Sequence, residues 1–290
     1  MPDEAPTKLP PDTDNGPNGL LERTLGVIEL LSNNAQGMLL FEVADTLHIP
    51  RSATHRVLTS LVEHGYVRQE RQQGAYLLTA KIASLAFTFL TGSGISDFAQ
   101  PVLDRLAKEV GELVRLGMID GKELVWVAKA QGSRYGLRYD PDMGQVGRLS
   151  CSASGHAWLA CLPEPEALAI VERQGIGSRG EYGPRAPETK EALLRYLRKA
   201  RKRGFGLVQQ TYSPGANAIA APIRHPKTGE VTGTVAIAGP EVRLSEERLL
   251  GLAPGLLAAA DELALATIAS PGLYGPGGRA KVTIYDDGPA

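Results

Sequence analysis

The sequence predicts an α+β protein in two parts, a small helical part at the N-terminus and a larger part in which antiparallel strands alternate with helices. Up to Val110, apolar residues recur mainly at helical spacing. From Leu113 onwards, short apolar runs broken by Asp-Gly and Thr-Gly turns alternate with further helical runs, a pattern typical of a sheet with flanking helices. The 290 residues, 43% of them hydrophobic, are enough to bury two separate cores.

The composition argues against several classes of protein. The net charge of −1 excludes a chain coated in positive charge, so any nucleic-acid contact must come from a local patch. The two cysteines, Cys151 and Cys161, form no CxxC pair, so we expect no disulfide framework, no metal and no cofactor. The polar N-terminus lacks a signal-peptide pattern, and no apolar run is long enough to cross a membrane. We therefore expect a cytoplasmic protein with no membrane partner.

The N-terminal part begins with a polar tail and two helices. Residues 1–19 are rich in Pro, Asp, Asn and Gly, which predicts a disordered tail. A second, short helix is predicted over residues 40–47. The apolar positions that mark the first helix are Leu21, Leu25, Ile28 and Leu31.

Residues 49–65 predict a helix with two chemically different sides. Pro50 presets a helical first turn, and Gly65 closes the helix. The apolar side comprises Ala53, Val57, Leu58, Leu61 and Val62. The opposite side carries hydrogen-bond donors and cations, namely Arg51, Ser52, His55, Arg56 and Thr59. Such a helix fits the major groove of DNA, although a polar helix face is often merely solvated.

A two-stranded hairpin is predicted directly after this helix. The run from Tyr66 to Leu78 has two short extended stretches around a polar turn that begins at Arg71. The order of helix, short helix, tight turn, helix and hairpin is that of a winged helix-turn-helix, so we assign residues 20–79 to a DNA-binding domain. Its predicted partner is double-stranded operator DNA, with Arg23 and Arg71 as further contacts. The alternative is a hairpin that only caps the small core.

The remaining chain divides at a glycine-marked break. Residues 80–94 predict a linker helix that ends in the sequence TGSGIS, and residues 95–270 predict a second domain. Two hairpins of that domain, each with a glycine in its turn, are separated by helices. The last helix is expected to begin after Ser245 as its N-cap. Residues 271–290 are rich in Gly and Pro and predict a flexible tail.

Two segments, RTLGVIELL (Arg23–Leu31) and FEVADTLHIPRSATHRVLTSLVEHGYV (Phe41–Val67), resemble the DNA-binding domain of the IclR family of bacterial transcription regulators. The resemblance extends from about residue 20 to 269 and implies a GAF-like effector domain with an antiparallel sheet. It also implies that linker helices pair in a homodimer or a dimer of dimers. The residues that it places in the operator are Arg51, Ser52, His55 and Arg56. Ala53 departs from the family pattern, which often has threonine there.

The turn before the helix of the SASGHA sequence is the predicted ligand site. A helix start offers free backbone N–H groups to a carboxylate. The resemblance implies that a small-molecule effector, an organic acid in relatives, binds at this turn. Carried over by position, the ligand-binding residues are Gly136, Tyr139, Ser152, Ala153, Ser154, Gly155, Val208, Ala216, Ala218, Ala236 and Ala238. Tyr139, Tyr212 and Asn217 are candidate walls and orienting groups.

Four residues of this set depart from the family pattern. Val208 stands where the family often has an acidic residue, and Ala218 stands where the family often has a cysteine. Ala236 and Ala238 replace serines. The departure predicts a roomier and less polar pocket, suited to an aromatic or otherwise bulky acid or amide. The alternative is that these alanines only pack the sheet against the helix that carries Trp158.

Rival functions rest on other residues. Cys151 beside His156 suggests a small amide or ester hydrolase with an appended helix-turn-helix, but no third orienting group accompanies them, so no catalytic residue is assigned. An architectural DNA-binding protein without a ligand is disfavoured by the balanced charge of the N-terminal domain. The basic run from Arg195 to Gly204 fits a solvated helix end. The favoured prediction is a transcription regulator whose operator binding responds to a small molecule; the sequence does not set the direction of that response.

Overall fold

The computed structural model describes residues 19–70, 74–92, 98–141, 144, 146–178 and 180–269. These residues form two compact units, the first ending at Phe89 and the second beginning at Leu90. The tails predicted over residues 1–19 and 271–290 lie outside the described residues, apart from Gly19. None of the described helices is long and apolar enough to cross a membrane.

The described part of the first unit contains three helices and a two-stranded antiparallel sheet before a linker helix. In chain order these elements are α1 (Leu20–Ser32), α2 (Leu40–Thr46), α3 (Arg51–Glu63), β1 (Val67–Gln69), β2 (Tyr76–Leu78) and α4 (Ala80–Gly92). Each element before α4 contributes to one small core, formed by Val27, Leu31, Val43, Val57, Leu58, Leu61, Val67 and Tyr76. The unit is a winged helix-turn-helix, as predicted.

The turn between α2 and α3 sets the direction of α3. His48 takes a left-handed conformation with a φ of 52°, and the N–H of Ile49 donates to the carbonyl of Ala44 at 2.9 Å. Pro50, predicted within the first turn, is instead the N-cap residue, with an extended ψ of 136°. Gly65 follows the helix with a φ of 72°, a conformation that a residue with a Cβ adopts only with strain.

Helices α1 and α3 bury narrower sides than their apolar patterns predict. Leu21 and Leu25 are 72% and 49% exposed, because the buried side of α1 centres on Val27 and Leu31. Val62, predicted on the inner side of α3, is 39% exposed. The core of so small a unit does not reach the apolar residues at the margins of these helices.

In the described residues, the second unit is an antiparallel five-stranded sheet with helices on both faces. The helices are α5 (Gln100–Val110), α6 (Ala153–Leu159), α7 (Glu164–Gln174), α8 (Lys190–Arg203) and α9 (Glu246–Ala269). The strands are β3 (Leu113–Asp120), β4 (Glu123–Gln131), β5 (Gly206–Gln209), β6 (Ala216–Arg224) and β7 (Val231–Pro240), in the spatial order β4-β3-β7-β6-β5. Ser245 caps α9 as expected, since its Oγ accepts from the N–H of Arg248 at 3.2 Å.

Alternation along the strands separates two faces of the sheet. Ile219 and Ala221 of β6 belong to a core shared with α5 and α9, whereas Ala218 and Ala220 face α6. Helices α7 and α8 add a further apolar cluster on the α6 side, which includes Trp158. The face covered by α6 therefore carries the alanines of the predicted ligand site.

Helix α6 lies close to the sheet because small residues occupy the contact. A Cβ atom at Gly155 would lie 2.3 Å from the carbonyl oxygen of Leu149, and a Cβ atom at Gly206 of β5 would lie 2.3 Å from that of Ala153. The Oγ of Ser152 accepts from the N–H of Gly155 at 3.0 Å and caps the helix. A larger residue at either glycine would force backbone segments apart.

We expect Gly155→Ala to lower the free energy of unfolding of the second unit by about 1–3 kcal/mol, the usual cost of overpacking. Urea unfolding followed by tryptophan fluorescence reports on this unit, because both tryptophans, Trp126 and Trp158, belong to it. Gly251→Ala in α9 is the matched control, since a Cβ there meets nothing within 4 Å and alanine favours a helix. Equal stability of the two variants would contradict the tight contact.

Candidate functional site

The outer side of α3 is a continuous row of polar side chains. The predicted contact residues on this helix are all exposed: Arg51, Ser52, His55, Arg56 and Thr59. The residues behind them are buried: Ala53, Thr54, Val57, Leu58 and Leu61. The row therefore combines two cations with three hydrogen-bonding side chains on a helix that is held firmly from its other side, which is the chemistry needed to contact phosphates and base edges.

The two predicted contacts outside α3 are placed differently. Arg23 lies on α1 and is only partly exposed. Arg71, at the tip of the predicted hairpin, lies outside the described residues. Arg68 on β1 is exposed, and its Nη2 lies 3.9 Å from the carboxylate of Glu70, a surface pair that contributes little to stability.

A cavity of about 20 Å³ lies in the second unit between the start of α6, the sheet and two loops. This volume is enough for about one water molecule. The loops that follow β4 and β5 meet at the cavity, where the hydroxyl of Tyr139 lies 3.3 Å from the Oγ of Ser213. Most of the predicted ligand-binding residues border it: Tyr139, Ser152, Ala153, Ser154, Val208, Ala216, Asn217, Ala218, Ala236 and Ala238.

Three predicted ligand-binding residues have other positions or partners. Gly136 lies in an exposed turn with a φ of 76°, away from the lining. Gly155 packs against the backbone of Leu149 rather than facing the cavity. The amide of Asn217 is engaged, since Nδ2 donates to the carbonyl of Leu244 at 2.8 Å and Oδ1 accepts from the N–H of Gln210 at 3.1 Å. Its side chain thus ties the sheet to the start of α9.

Arg115 of β3 is the cavity residue that sequence reasoning missed. It is only 5% exposed, and its guanidinium lies 3.9 Å from the centre of the Trp126 ring. Burial lowers the pKa of this guanidinium, because the charged form loses its hydration. The available signal was a single cation inside the apolar run LVRLGMI, where a buried strand has no ordinary place for a charge.

The small cavity combines an apolar wall with a buried charge. Val208, Ala218 and other small residues of the strands give it an apolar wall, as expected. However, Tyr139 and Tyr212 reach into the space that these small side chains leave, and Arg115 adds a charge. The expectation of a roomier and less polar pocket than in relatives that bind small acids stays a prediction.

Two family models match the chain. The model described as IclR helix-turn-helix domain matches residues 20–71, and the model described as Bacterial transcriptional regulator IclR C-terminal matches residues 87–265. The chain belongs to the IclR family of bacterial transcriptional regulators. The resemblance in the α1–α3 segments is thereby confirmed, and the protein is a DNA-binding regulator rather than an enzyme.

Individual known proteins are similar to this protein over most of its chain. HTH-type transcriptional regulator BhcR of Paracoccus denitrificans is 28% identical over 250 residues, which cover 86% of this chain and 88% of that protein. A crystallised regulator from Rhodococcus sp. RHA1 has a TM-score of 0.72 and 28% identity, over 86% of this chain and 98% of its own. An IclR homologue from Microbacterium hydrocarbonoxydans, crystallised with 4-hydroxybenzoate, has a TM-score of 0.68 and 21% identity, over 87% of this chain and 100% of its own.

The residues considered for a hydrolase form no catalytic pair in this IclR-family protein. Cys151 is buried, and burial raises the pKa of its thiol to about 12, so the thiol stays protonated at neutral pH. Burial lowers the pKa of His156 to about 4, and its Nε2 donates to the carbonyl of Ser150 at 2.7 Å. Within the described residues, no group of three or more His, Cys, Asp or Glu side chains is placed to hold a metal ion.

The buried imidazole of His156 makes the stability of the second unit depend on pH. The folded-state pKa is about 4, below the ordinary 6.5, so between these values the unfolded chain binds a proton that the folded protein does not. We expect the free energy of unfolding to fall as the pH is lowered from 6.5 to 4, by up to about 3 kcal/mol from this group.

Urea unfolding followed by tryptophan fluorescence at several pH values measures this slope in the wild type and in His156→Gln. The glutamine amide can still donate to Ser150, but it does not titrate. His64→Gln, which changes an exposed histidine of the first unit, is the control. An unchanged slope in His156→Gln would refute the role of the buried imidazole.

Proposed function

We propose that this IclR-family regulator contacts double-stranded operator DNA with the outer side of α3, and that an aromatic or otherwise bulky organic acid or amide in the cavity changes its operator affinity. The observation that carries the proposal is the exposed row of donors and cations on α3. We also propose that the protein acts in the cytoplasm, since its target is operator DNA.

The chemistry of the α3 row supports the DNA contacts. Arg51 and Arg56 suit phosphates or guanine edges, and the imidazole of His55 and the neighbouring hydroxyls suit other acceptors. Because the net charge is −1, affinity has to come from this local surface rather than from a general positive field. Arg23 and Arg71 are proposed as flanking contacts that hold the protein in register.

The effector part of the proposal requires the cavity to open. An aromatic acid needs far more than about 20 Å³, so its binding must separate the two loops that meet through Tyr139 and Ser213. An effector acts only through its different affinity for the DNA-competent and DNA-incompetent states. An IclR homologue of the same fold was crystallised with 4-hydroxybenzoate, which supports an aromatic acid as the ligand class.

We further propose that the protein is a homodimer or a dimer of dimers. Helix α4 has large apolar side chains that are exposed in the single chain, namely Leu85, Phe87 and Phe89. Pairing of α4 with its copy would bury them, and two linked reading heads bind two half-sites with a raised effective concentration. Sedimentation of the purified protein measures this state, and a monomer at micromolar concentration would contradict it.

A gel shift with DNA from upstream of the protein's own gene and its neighbours tests the function directly. The assay is repeated with a panel of aromatic acids and their amides. A specific shift that one of the compounds strengthens or abolishes supports the whole proposal. A specific shift that no compound changes would still support the proposed DNA binding, but it would refute the proposed class of effector.

We expect Arg56→Ala to weaken specific operator binding about 5- to 150-fold, the usual range for a lost base contact. The change lies on the exposed side of α3, so it leaves the core of the first unit intact. Arg173→Ala, which removes an exposed arginine of α7 in the second unit, is the matched control. Equal operator affinity of the two variants would exclude Arg56 from the interface.

We expect Ala218→Val to reduce effector affinity about tenfold or more, because the added methyl groups enter a cavity that is already small. Operator affinity without effector should stay unchanged. Ile219→Val on the opposite face of β6 is the control for a general loss of stability. Gel shifts over a range of effector concentrations measure both variants, and an undiminished response in Ala218→Val would move the effector away from this cavity.

A further inference from the structure

Arg115 is a buried cation that forms no ion pair with any residue that the structure describes. It pairs in register with Ala236 of β7, which places its side chain on the face of the sheet that α6 covers. Its Nε and Nη1 atoms are buried and have no hydrogen-bond partner among the described residues. An isolated buried charge of this kind costs several kcal/mol of desolvation, and the stacking on Trp126 offsets only part of that cost.

Another arginine of the same unit shows the contrast. Arg243 is paired with the buried carboxylate of Glu112, its Nε donating to Oε1 at 2.5 Å and its Nη2 to Oε2 at 2.9 Å. This two-point pair neutralises the charge where a strand end meets α9. Arg115 is the more deeply buried of the two arginines, and it has no such acid.

The one acid near Arg115 among the described residues is already shared by other cations. Asp140 accepts from the Nζ of Lys129 at 2.6 Å, and its other oxygen lies 3.5 Å from the Nη2 of Arg138. Lys129 is the register partner of Arg115 on β4. Three cations therefore surround one carboxylate, and the surroundings of the cavity keep a positive excess.

Several other polar groups at the cavity can donate hydrogen bonds to a ligand. The hydroxyls of Ser154 and Tyr212 line it, and burial raises the pKa of Tyr212 to about 12, which keeps that hydroxyl protonated. The buried Nε1 of Trp126 also has no hydrogen-bond partner among the described residues. Unpaired donors around a cation suit an anionic ligand better than a neutral one.

We propose that Arg115 binds the carboxylate of the effector and thereby selects organic acids over the corresponding amides. The inference rests on the proposed effector cavity and narrows its ligand from an acid or amide to an acid. Hydrogen bonds to charged groups predict about 10- to 150-fold weaker binding of the amide, and a similar loss for an acid when the guanidinium is removed.

Thermal unfolding of the full chain, followed by tryptophan fluorescence, tests the proposal with simple carboxylates in place of the natural effector. The probes are formate, acetate, benzoate and 4-hydroxybenzoate, each compared with its amide at constant pH and ionic strength. The variants are Arg115→Met and Arg115→Lys. Arg115→Met should fold, because an apolar side chain replaces an unpaired buried charge. Arg134→Met, which removes an exposed arginine of the loop that follows β4, is the matched control.

We expect at least one carboxylate to raise the melting temperature of the wild type and of Arg134→Met, whereas its amide does so only at about tenfold or higher concentration. Arg115→Met should lose this response. Arg115→Lys should keep a weaker one, because lysine keeps the charge but not the planar fork.

Three results would overturn the assignment of Arg115. These are equal shifts with acid and amide, an undiminished carboxylate response in Arg115→Met, and no carboxylate-specific shift with any probe. A gel shift on the same protein preparations distinguishes a failure of the Arg115 assignment from a failure of the proposed function. If specific operator binding responds to amides as well as to acids, the proposed effector cavity stands and only the proposed role of Arg115 is refuted.

Discussion

Helix α6 meets strand β5 backbone to backbone at Gly206, and this contact determines what the second unit can enclose. Because the backbones approach so closely, the strands below carry alanine on the facing side, as at Ala218 and Ala220. The space between helix and sheet is then too thin for a large ligand. The cavity lies at the start of α6, where strand residues and two loops together supply the walls.

Two loops close this cavity, and the proposed effector binding requires them to separate. Tyr139 and Ser213, from loops far apart in the chain, close it with one hydrogen bond between exposed or half-buried groups. A bond of this kind contributes only about 1 kcal/mol, so separating the loops is cheap compared with unfolding the sheet. A rigid sheet with a closure of this kind suits a ligand-responsive domain, since binding energy can shift loop positions without loss of the core.

Buried charge divides the second unit into a structural and a functional region. Glu112 and Arg243 neutralise each other and tie the sheet to the segment before α9. In the part of the chain that the structure describes, Arg115 has no such partner, and a fold maintained for stability alone has no physical need of it. In the first unit the division is simpler, because the charges of α3 stay on its solvent side and only apolar residues and Thr54 face inward.

Much of the fold and of the α3 surface followed from the sequence by itself. Helical spacing, glycine-marked turns and alternation predicted the winged helix-turn-helix and the hairpins of the sheet, because these patterns depend on residues a few positions apart. The segment from Arg51 to Thr59 carries both its core side and its outer side within one helix, so its exposed row was predictable without any tertiary information.

The size and charge of the cavity were decided only by the tertiary structure. Arg115, Trp126 and Tyr212 lie on different elements, and no local pattern states that their side chains meet. Asn217 and Ala218 are neighbours in sequence, yet strand alternation directs the amide to Leu244 and the methyl group to the cavity. The size and charge of a cavity depend on how distant segments of the chain pack together. Local sequence patterns do not show which of these segments meet.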